Sequence, residues 1–207
     1  MNKRFAIFDL DGTLVDSMGY WTTLAEEYLR SQGIEQIPQE IKEQIEAMTL
    51  LESAALFTRY FQLEKSPREA AAEMYARMEA HYREDVPLLP GRQTYLRQLR
   101  ETGVRMCVAS STAANLVENC LIRLGIRENF EFVISCEQVG AEKDRPDVYL
   151  EAARRMHAMP RETAVYEDAL YAARTAKQAG FYVVGVYDRH AADRWEALRA
   201  LADETLE

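Results

Sequence analysis

The sequence lacks three features that would each indicate a particular class of protein. It has only three cysteines, without the spacing of a disulfide framework or a zinc site, and we expect Cys107, Cys120 and Cys136 to be reduced, buried thiols. No segment concentrates lysine and arginine, and acidic residues outnumber basic ones 34 to 25. This balance argues against nucleic acid or an anionic membrane as the main partner. The apolar runs are short, so no membrane span is expected.

The composition is that of an ordinary globular protein, with 48% hydrophobic and 29% charged residues. The N-terminal stretch MNKRFAIFDLDG reaches Asp9 and Asp11 before the apolar core of a signal peptide is complete. We therefore expect a soluble cytoplasmic protein, and no obligate protein partner is evident. The 207 residues exceed one average domain of about 150 residues but fall short of two, which favours one domain with an insert.

The middle of the chain has a different periodicity from the rest. From about residue 17 to residue 85 the apolar residues follow helical spacing. The pattern breaks at residues 33–38 and again at Ser66-Pro67, where serine caps and proline opens a helix. We therefore predict a four-helix insert at residues 16–88, between core segments at residues 1–15 and 89–207.

The remainder of the chain alternates between strands and helices. Residues 4–8 form an apolar run that ends in DLDGT, which is typical of a buried strand followed by a turn at Gly12. After the insert we predict strands at 104–109, 132–135, 164–166 and 182–186, and helices at 92–101, 113–124, 147–157, 169–179 and 191–201. This alternation predicts an α/β fold with a parallel sheet covered by helices on both faces.

Polar side chains follow four of the predicted strands, at the end where open α/β sheets bind ligands. They are Asp9 and Asp11 after the first strand, Ser110 after the second, Lys143 after the third, and Glu167 with Asp168 after the fourth. Four carboxylates in one small site require a cation, and oxygen ligands favour Mg²⁺. Lys143 would then face an anionic substrate. A nucleophilic carboxylate, a metal and a second carboxylate two residues on indicate phosphoryl transfer.

Each of these groups also has an ordinary structural interpretation. Asp11-Gly12 alone is a common turn, and Ser110 or Ser111 alone is a common helix cap. Lys143 alone is typical of a solvated loop, and Glu167-Asp168 alone suits the start of a helix. The order of the groups at successive strand ends favours the functional interpretation.

The four motifs together resemble those of the haloacid dehalogenase (HAD) superfamily of phosphohydrolases. The matching segments are Asp9-Leu10-Asp11-Gly12-Thr13, Val108-Ala109-Ser110, Lys143-Asp144-Arg145-Pro146-Asp147 and Tyr166-Glu167-Asp168. The insert, with Leu89-Pro90-Gly91 after it, resembles the helical cap of the subgroup that contains β-phosphoglucomutase and phosphoglycolate phosphatase. The resemblance covers nearly the whole chain and implies a Rossmann-like core with an inserted four-helix cap domain.

The resemblance also implies a role for each motif residue. Asp9 would attack phosphorus and form an aspartyl-phosphate, while Asp11 would protonate the leaving oxygen and later activate water. The Mg²⁺ ligands would be the carboxylates of Asp9 and Asp168, the backbone carbonyl of Asp11, and Glu167 directly or through water. The phosphate-binding groups would be Ser110, Lys143, Ser111 and the backbone of Gly12.

The sequence departs from the subgroup's pattern within the insert. Trp21 stands where β-phosphoglucomutase-like members have a histidine important for mutase activity, and no cation is evident around Met48, where many relatives bind a second phosphate. We therefore expect a phosphatase that acts on a small phosphorylated metabolite, with a sugar-phosphate mutase as the alternative. A non-catalytic regulator that binds a phosphometabolite is the alternative from another class. The candidate substrate-pocket residues are Trp21, Met48 and Arg145.

Overall fold

The computed structural model describes residues 3–45 and 48–207 of the chain. The chain divides into two compact units, of which one combines the chain up to Met18 with Val86–Glu207 and the other is Gly19–Asp85. We call the first the sheet unit and the second the helical unit.

Four helices make up the helical unit in the residues described. They are α1 (Met18–Ser31), α2 (Gln39–Ile45), α3 (Leu50–Tyr60) and α4 (Pro67–Glu84). Thr49 caps α3 and Ser66 caps α4, each by a capping box with the glutamate three residues on. The helix start predicted at Ser66-Pro67 is therefore confirmed. Buried apolar side chains from the helices form the interior of this unit, among them Leu24, Tyr28, Leu29, Phe57, Met74 and Met78.

Six parallel strands form one sheet in the described part of the sheet unit, in the order β3-β2-β1-β4-β5-β6. They are β1 (Phe5–Phe8), β2 (Arg105–Ser110), β3 (Val133–Ser135), β4 (Thr163–Glu167), β5 (Tyr182–Val186) and β6 (Glu204–Leu206). β1 lies between β2 and β4, with Phe8 opposite both Val108 and Tyr166. All four residues of β1 are buried, as expected for a parallel strand covered on both faces.

Further helices follow the strands of the sheet unit. They are α5 (Arg92–Glu101), α6 (Ala114–Arg123), α7 (Cys136–Val139), α8 (Asp147–Arg155), α9 (Leu170–Gln178) and α10 (Trp195–Leu201). Short 3-10 helices lie at Arg127–Asn129, Pro160–Glu162 and Arg189–Arg194. The predicted α/β fold with a parallel sheet is confirmed, since helices alternate with the strands and pack on them.

The C-terminal part of the chain differs from the prediction. The last helix begins at Trp195 and not at residue 191, because the segment before it is a 3-10 helix. Asp188 caps that segment by accepting from the His190 N–H, and Ala191 has non-helical dihedral angles. The strand β6 was not predicted, since three residues are too few to show a periodicity.

The three cysteines are free and buried, as predicted. Burial raises the pKa of the Cys107 thiol. Across the described residues, no helix combines the length and apolar character needed to cross a membrane.

Candidate active site

The strand order gathers the polar motifs at one edge of the sheet. Asp9 directly follows β1, Ser110 is the last residue of β2, and Glu167 is the last residue of β4. Because β1 pairs with β2 on one side and β4 on the other, these residues end three neighbouring strands. This edge is the one where parallel α/β sheets bind their ligands.

Lys143 connects two of the carboxylates at this edge. Its Nζ donates to Asp9 Oδ1 and, at 2.7 Å, to Glu167 Oε1. The three residues are almost completely buried, with exposures of 3% for Lys143, 6% for Asp9 and 1% for Glu167. Buried charges are costly unless they are paired, so the three groups depend on one another.

Asp9, Glu167 and Asp168 form a compact group of buried carboxylates. Each offers one oxygen, and the three oxygens lie within 4.8 Å of one another. Thr13 Oγ1 donates to Asp168 Oδ1 at 3.2 Å and fixes that side chain on one side. A cluster of carboxylate oxygens suits a hard divalent cation such as Mg²⁺.

Burial is the largest cause of the raised pKa values of Asp9 and Asp168, and repulsion between carboxylates adds to it. Burial and the neighbouring carboxylates raise the pKa of Asp9, although Lys143 acts to lower it. Burial and the charge of Glu167 raise the pKa of Asp168 to about 7. Burial acts to lower the pKa of Lys143, but the charges of Asp9 and Glu167 outweigh it and raise that pKa. A divalent cation bound here would balance the excess charge.

The carboxylate of Asp11 lies outside this group of three. Its Oδ1 accepts from Ser17 Oγ at 2.6 Å and its Oδ2 accepts from Thr112 Oγ1 at 2.8 Å. The three carboxylates expected to bind metal thus lie together, whereas Asp11, whose backbone carbonyl was the expected ligand, has its carboxylate hydrogen-bonded to two hydroxyls. The clustered carboxylates could therefore bind a metal while the Asp11 carboxylate stays available for proton transfer.

Gly12 has a different role from the one expected. Its N–H donates to the Val15 carbonyl at 2.9 Å, so this amide is engaged within the turn and does not face an anion. Its φ is +76°, a left-handed conformation that favours glycine. A β-carbon at this position would also collide with the Asp168 carboxylate. The glycine therefore shapes the turn and leaves space for Asp168.

The two candidate serines after β2 have different surroundings. Ser110 is buried, and its Oγ accepts the Thr112 N–H at 3.0 Å. Ser111 is exposed, and its Oγ donates to Glu142 Oε2 at 3.1 Å. Ser110 is thus buried at the end of β2, whereas the Ser111 side chain is hydrogen-bonded to Glu142, the residue before Lys143.

The candidate pocket residues do not all come together. Trp21 and Met48 line one cavity of about 610 Å³ in the helical unit, whereas Arg145 is exposed and pairs with Asp147 at 3.0 Å. Lys42 lines the same cavity and pairs with Glu26 at 2.5 Å. Lys42 therefore adds a cation to the wall of the cavity that Met48 lines, although the sequence around Met48 itself contains none.

Four hydroxyl residues around the acidic groups were not predicted from the sequence. Thr13, Ser17 and Thr112 donate to Asp168 or Asp11, and Tyr149 Oη donates to Glu167 Oε1 at 2.6 Å. Each follows a motif residue by a few positions. Only Thr13 and Ser17 closely follow a strand-end carboxylate, Asp11, and for these two the sequence offers a usable signal, since buried polar groups require partners.

The buried acidic groups lie at the strand ends of a parallel α/β sheet. Comparison of the chain with known proteins identifies its family. Residues 6–186 match the family described as haloacid dehalogenase-like hydrolase, and the chain belongs to that family. The predicted superfamily is thereby confirmed. Phosphatases among the relatives confirm the predicted class of enzyme, a phosphohydrolase.

Two relatives and one solved structure illustrate the similarity. The chain is 32% identical over 190 residues to a Drosophila melanogaster protein named a probable pseudouridine-5'-phosphatase, covering 88% of this chain and 80% of that protein. It is 29% identical over 181 residues to the bifunctional riboflavin kinase/FMN phosphatase of Arabidopsis thaliana. That match covers 87% of this chain and 47% of the relative, so the chain spans about half its length. CbbY from Rhodobacter sphaeroides in complex with phosphate shares the fold, with a TM-score of 0.76, 24% identity, and coverage of 99% of this chain and 93% of that one.

Proposed function

We propose that the protein is a Mg²⁺-dependent, cytoplasmic phosphatase that hydrolyses a small phosphorylated metabolite through an aspartyl-phosphate on Asp9. The observation that carries this proposal is the buried cluster of Asp9, Glu167 and Asp168 with Lys143 bonded into it. The family supplies phosphoester hydrolysis as the reaction class. The cluster combines a nucleophile, a cation site and an ammonium group within one edge of the sheet.

The three clustered carboxylates fit Mg²⁺, because their oxygens are close together, buried and short of positive charge. Asp9, Glu167 and Asp168 would hold the ion, together with the Asp11 backbone carbonyl. When bound, the ion neutralises charge on the transferring phosphoryl group.

In this proposal Asp9 acts as the nucleophile. Its carboxylate is buried and fixed by Lys143, which limits the orientations from which it attacks. The attack forms a bond from an Asp9 oxygen to phosphorus while the bond from phosphorus to the leaving oxygen breaks. Lys143 and Ser110 would bind the phosphoryl oxygens during this step.

In this proposal Asp11 transfers the protons. In the first step it gives a proton to the leaving oxygen, and in the second it takes a proton from the water that attacks phosphorus. The second step releases inorganic phosphate and regenerates Asp9. Ser17 and Thr112 each donate to one oxygen of the Asp11 carboxylate and so hold it in one orientation.

We further propose that the helical unit acts as a cap that selects the substrate, with boundaries near residues 16 and 88. The sheet-edge groups serve phosphate chemistry, whereas Trp21 and Met48 line a cavity large enough for a small molecule.

A sugar-phosphate mutase is the second candidate, and one observation favours it. Lys42 lines the cavity with Met48 and adds a cation there, as a second phosphate would need. The pairing of Lys42 with Glu26 and the presence of Trp21 in place of histidine favour the phosphatase.

The test is phosphate release from a panel of phosphomonoesters, with and without Mg²⁺, by the wild type, Asp9→Asn and Asp193→Asn. Asp193 is an exposed aspartate of the sheet unit and serves as the matched control. We expect Mg²⁺-dependent release by the wild type and Asp193→Asn, and none by Asp9→Asn. Full activity in excess EDTA, or Asp9→Asn activity within about tenfold of wild type, would contradict the proposal.

The same panel separates the alternatives. Hexose 1-phosphates with added bisphosphate are assayed for isomerisation, and isomerisation without net phosphate release would establish the mutase. Phosphometabolite binding without turnover of any compound would instead support the regulator.

A further inference from the structure

We propose that Tyr149 is a positioning residue that orients the Glu167 carboxylate and thereby sets the affinity of the acidic cluster for its divalent cation. The inference rests on the proposed function, since it concerns the cation which that function requires. Tyr149 lies outside the acidic cluster itself, on α8, and acts through a single carboxylate oxygen.

The contacts of Tyr149 fix its hydroxyl in place. The side chain is fully buried, and its ring packs edge to face on Phe181 with 6.2 Å between the centroids. Its Oη donates to Glu167 Oε1 at 2.6 Å. A buried aromatic ring held on a helix presents its hydroxyl in one direction with little loss of conformational entropy.

Glu167 Oε1 also accepts from Lys143 Nζ, at 2.7 Å. Two donors on one carboxylate oxygen use both of its lone pairs, which leaves Oε2 as the oxygen available to a cation. Lys143 is shared with Asp9, so it cannot by itself fix the rotation of the Glu167 carboxylate. Tyr149 supplies the second, unshared contact.

Removing the hydroxyl should therefore loosen Glu167 without changing any charge. Hydrogen-bond partners of metal ligands typically contribute about 10- to 100-fold to metal affinity. We expect Tyr149→Phe to weaken Mg²⁺ binding by about 10-fold. Phosphatase activity should return close to the wild-type kcat at saturating Mg²⁺, because the variant retains every charged group of the site.

Tyr95→Phe is the matched control. Tyr95 also belongs to the sheet unit, and its hydroxyl hydrogen-bonds to the Tyr166 hydroxyl at 2.8 Å and not to a carboxylate. The variant removes the same atom and one side-chain hydrogen bond. It should leave the Mg²⁺ affinity unchanged.

The experiment is calorimetric titration of the metal-stripped, full-length protein with MgCl₂ alone. It compares the wild type, Tyr149→Phe, Tyr95→Phe, Glu167→Gln and the double variant Tyr149→Phe/Glu167→Gln, each checked for folding by circular dichroism. If Tyr149 acts through Glu167, its loss should add little to the effect of Glu167→Gln.

An unchanged Mg²⁺ affinity in Tyr149→Phe, equal losses in Tyr149→Phe and Tyr95→Phe, or additive losses in the double variant would each overturn the inference. A wild type that releases phosphate but binds no Mg²⁺ would instead overturn the metal dependence in the proposed function. A wild type that binds Mg²⁺ and hydrolyses phosphomonoesters, with Tyr149→Phe unaffected, would overturn this inference alone.

Discussion

A β-carbon added to Gly12 would lie 2.5 Å from Asp168 Oδ2 and 2.8 Å from Asp168 Cγ. Gly12 belongs to the turn after β1, and Asp168 follows β4, so the two meet only because their strands are neighbours. The position requires glycine for two reasons, a left-handed φ of +76° and the absence of a side chain beside a carboxylate.

Gly12→Ala should therefore displace Asp168 and weaken the cation site. The matched control is Gly103→Ala, because Gly103 has a similar φ of +80° but nothing within 4 Å of its added β-carbon. We expect Gly103→Ala to lose about 1–2 kcal/mol of unfolding free energy and to keep its Mg²⁺ affinity. Gly12→Ala should lose both unfolding free energy and Mg²⁺ affinity, as measured by denaturant unfolding and metal titration. Equal metal affinity in the two variants would show that the close approach is unimportant.

The protonation of Asp168 should make the stability of the metal-free protein depend on pH. Its pKa is about 7 in the folded protein, against about 3.9 in an unfolded chain. Between these values the folded state keeps a proton that the unfolded state releases, so the free energy of unfolding falls as pH rises from about 4 to about 7.

We expect metal-stripped Asp168→Asn to show a flatter dependence of the unfolding free energy on pH than the wild type, across about pH 4 to 7. Mg²⁺ should stabilise the wild type more at about pH 8 than at about pH 5, because protons compete with the cation. Denaturant unfolding at these pH values measures both effects. Identical pH profiles for the two proteins would rule out this role of Asp168.

The stability that His81 contributes in the helical unit should also fall as pH rises, but over a higher range of pH. Its Nδ1 lies 3.0 Å from Asp85 Oδ1 and its Nε2 lies 3.1 Å from Glu27 Oε2. Burial acts to lower the pKa of His81, but these two hydrogen bonds and charges outweigh it and raise the pKa. The stabilisation that His81 contributes is therefore complete below about pH 6.5, and it is lost as pH rises through the pKa of His81 in the folded protein.

We expect the difference in unfolding free energy between the wild type and His81→Gln to shrink as pH rises from about 6 to about 9. An NMR titration of the His81 ring measures its pKa directly. A constant difference across that range would mean that the charge of His81 contributes nothing.

The hydroxyl of Thr112 should matter for proton transfer by Asp11. Thr112→Val removes the 2.8 Å hydrogen bond to Asp11 while preserving the shape of the side chain, whereas Thr112→Ser keeps the hydroxyl. A hydrogen bond to a charged group contributes about 1.5–3 kcal/mol, so we expect kcat to fall about 10-fold or more in Thr112→Val. Thr112→Ser should retain most of the activity. Similar kcat values for both variants would contradict a role for the hydroxyl.

The strand-end residues could be predicted from the sequence because they follow short apolar runs, and a parallel sheet brings such positions to one edge. Asp9, Glu167 and Asp168 lie together for that reason. Lys143 lies in a loop and not directly at a strand end, so it was predicted as a site residue only from the motif that it forms with Pro146-Asp147. In the structure its ammonium group donates to Glu167.

The partners of these residues could not be predicted, because they depend on side-chain directions across separate elements. Nothing in the sequence links Tyr149 to Glu167 or Thr112 to Asp11, since each pair meets only in the folded sheet unit. The same holds for Lys42, whose place in the cavity wall with Met48 depends on how the helical unit folds.

The position of β1 in the sheet has a consequence for synthesis on the ribosome. β1 is translated before both of its neighbours in the described sheet, which are β2 (Arg105–Ser110) and β4 (Thr163–Glu167). The helical unit, whose contacts are mostly local, has the shorter loops to close and is expected to fold sooner. Asp9 is therefore translated before Glu167 and Asp168, and it gains these companion carboxylates only when β4 has left the exit tunnel. A chain that stops short of Glu167 would carry Asp9 without Glu167 and Asp168, and would therefore lack the cluster of three carboxylates.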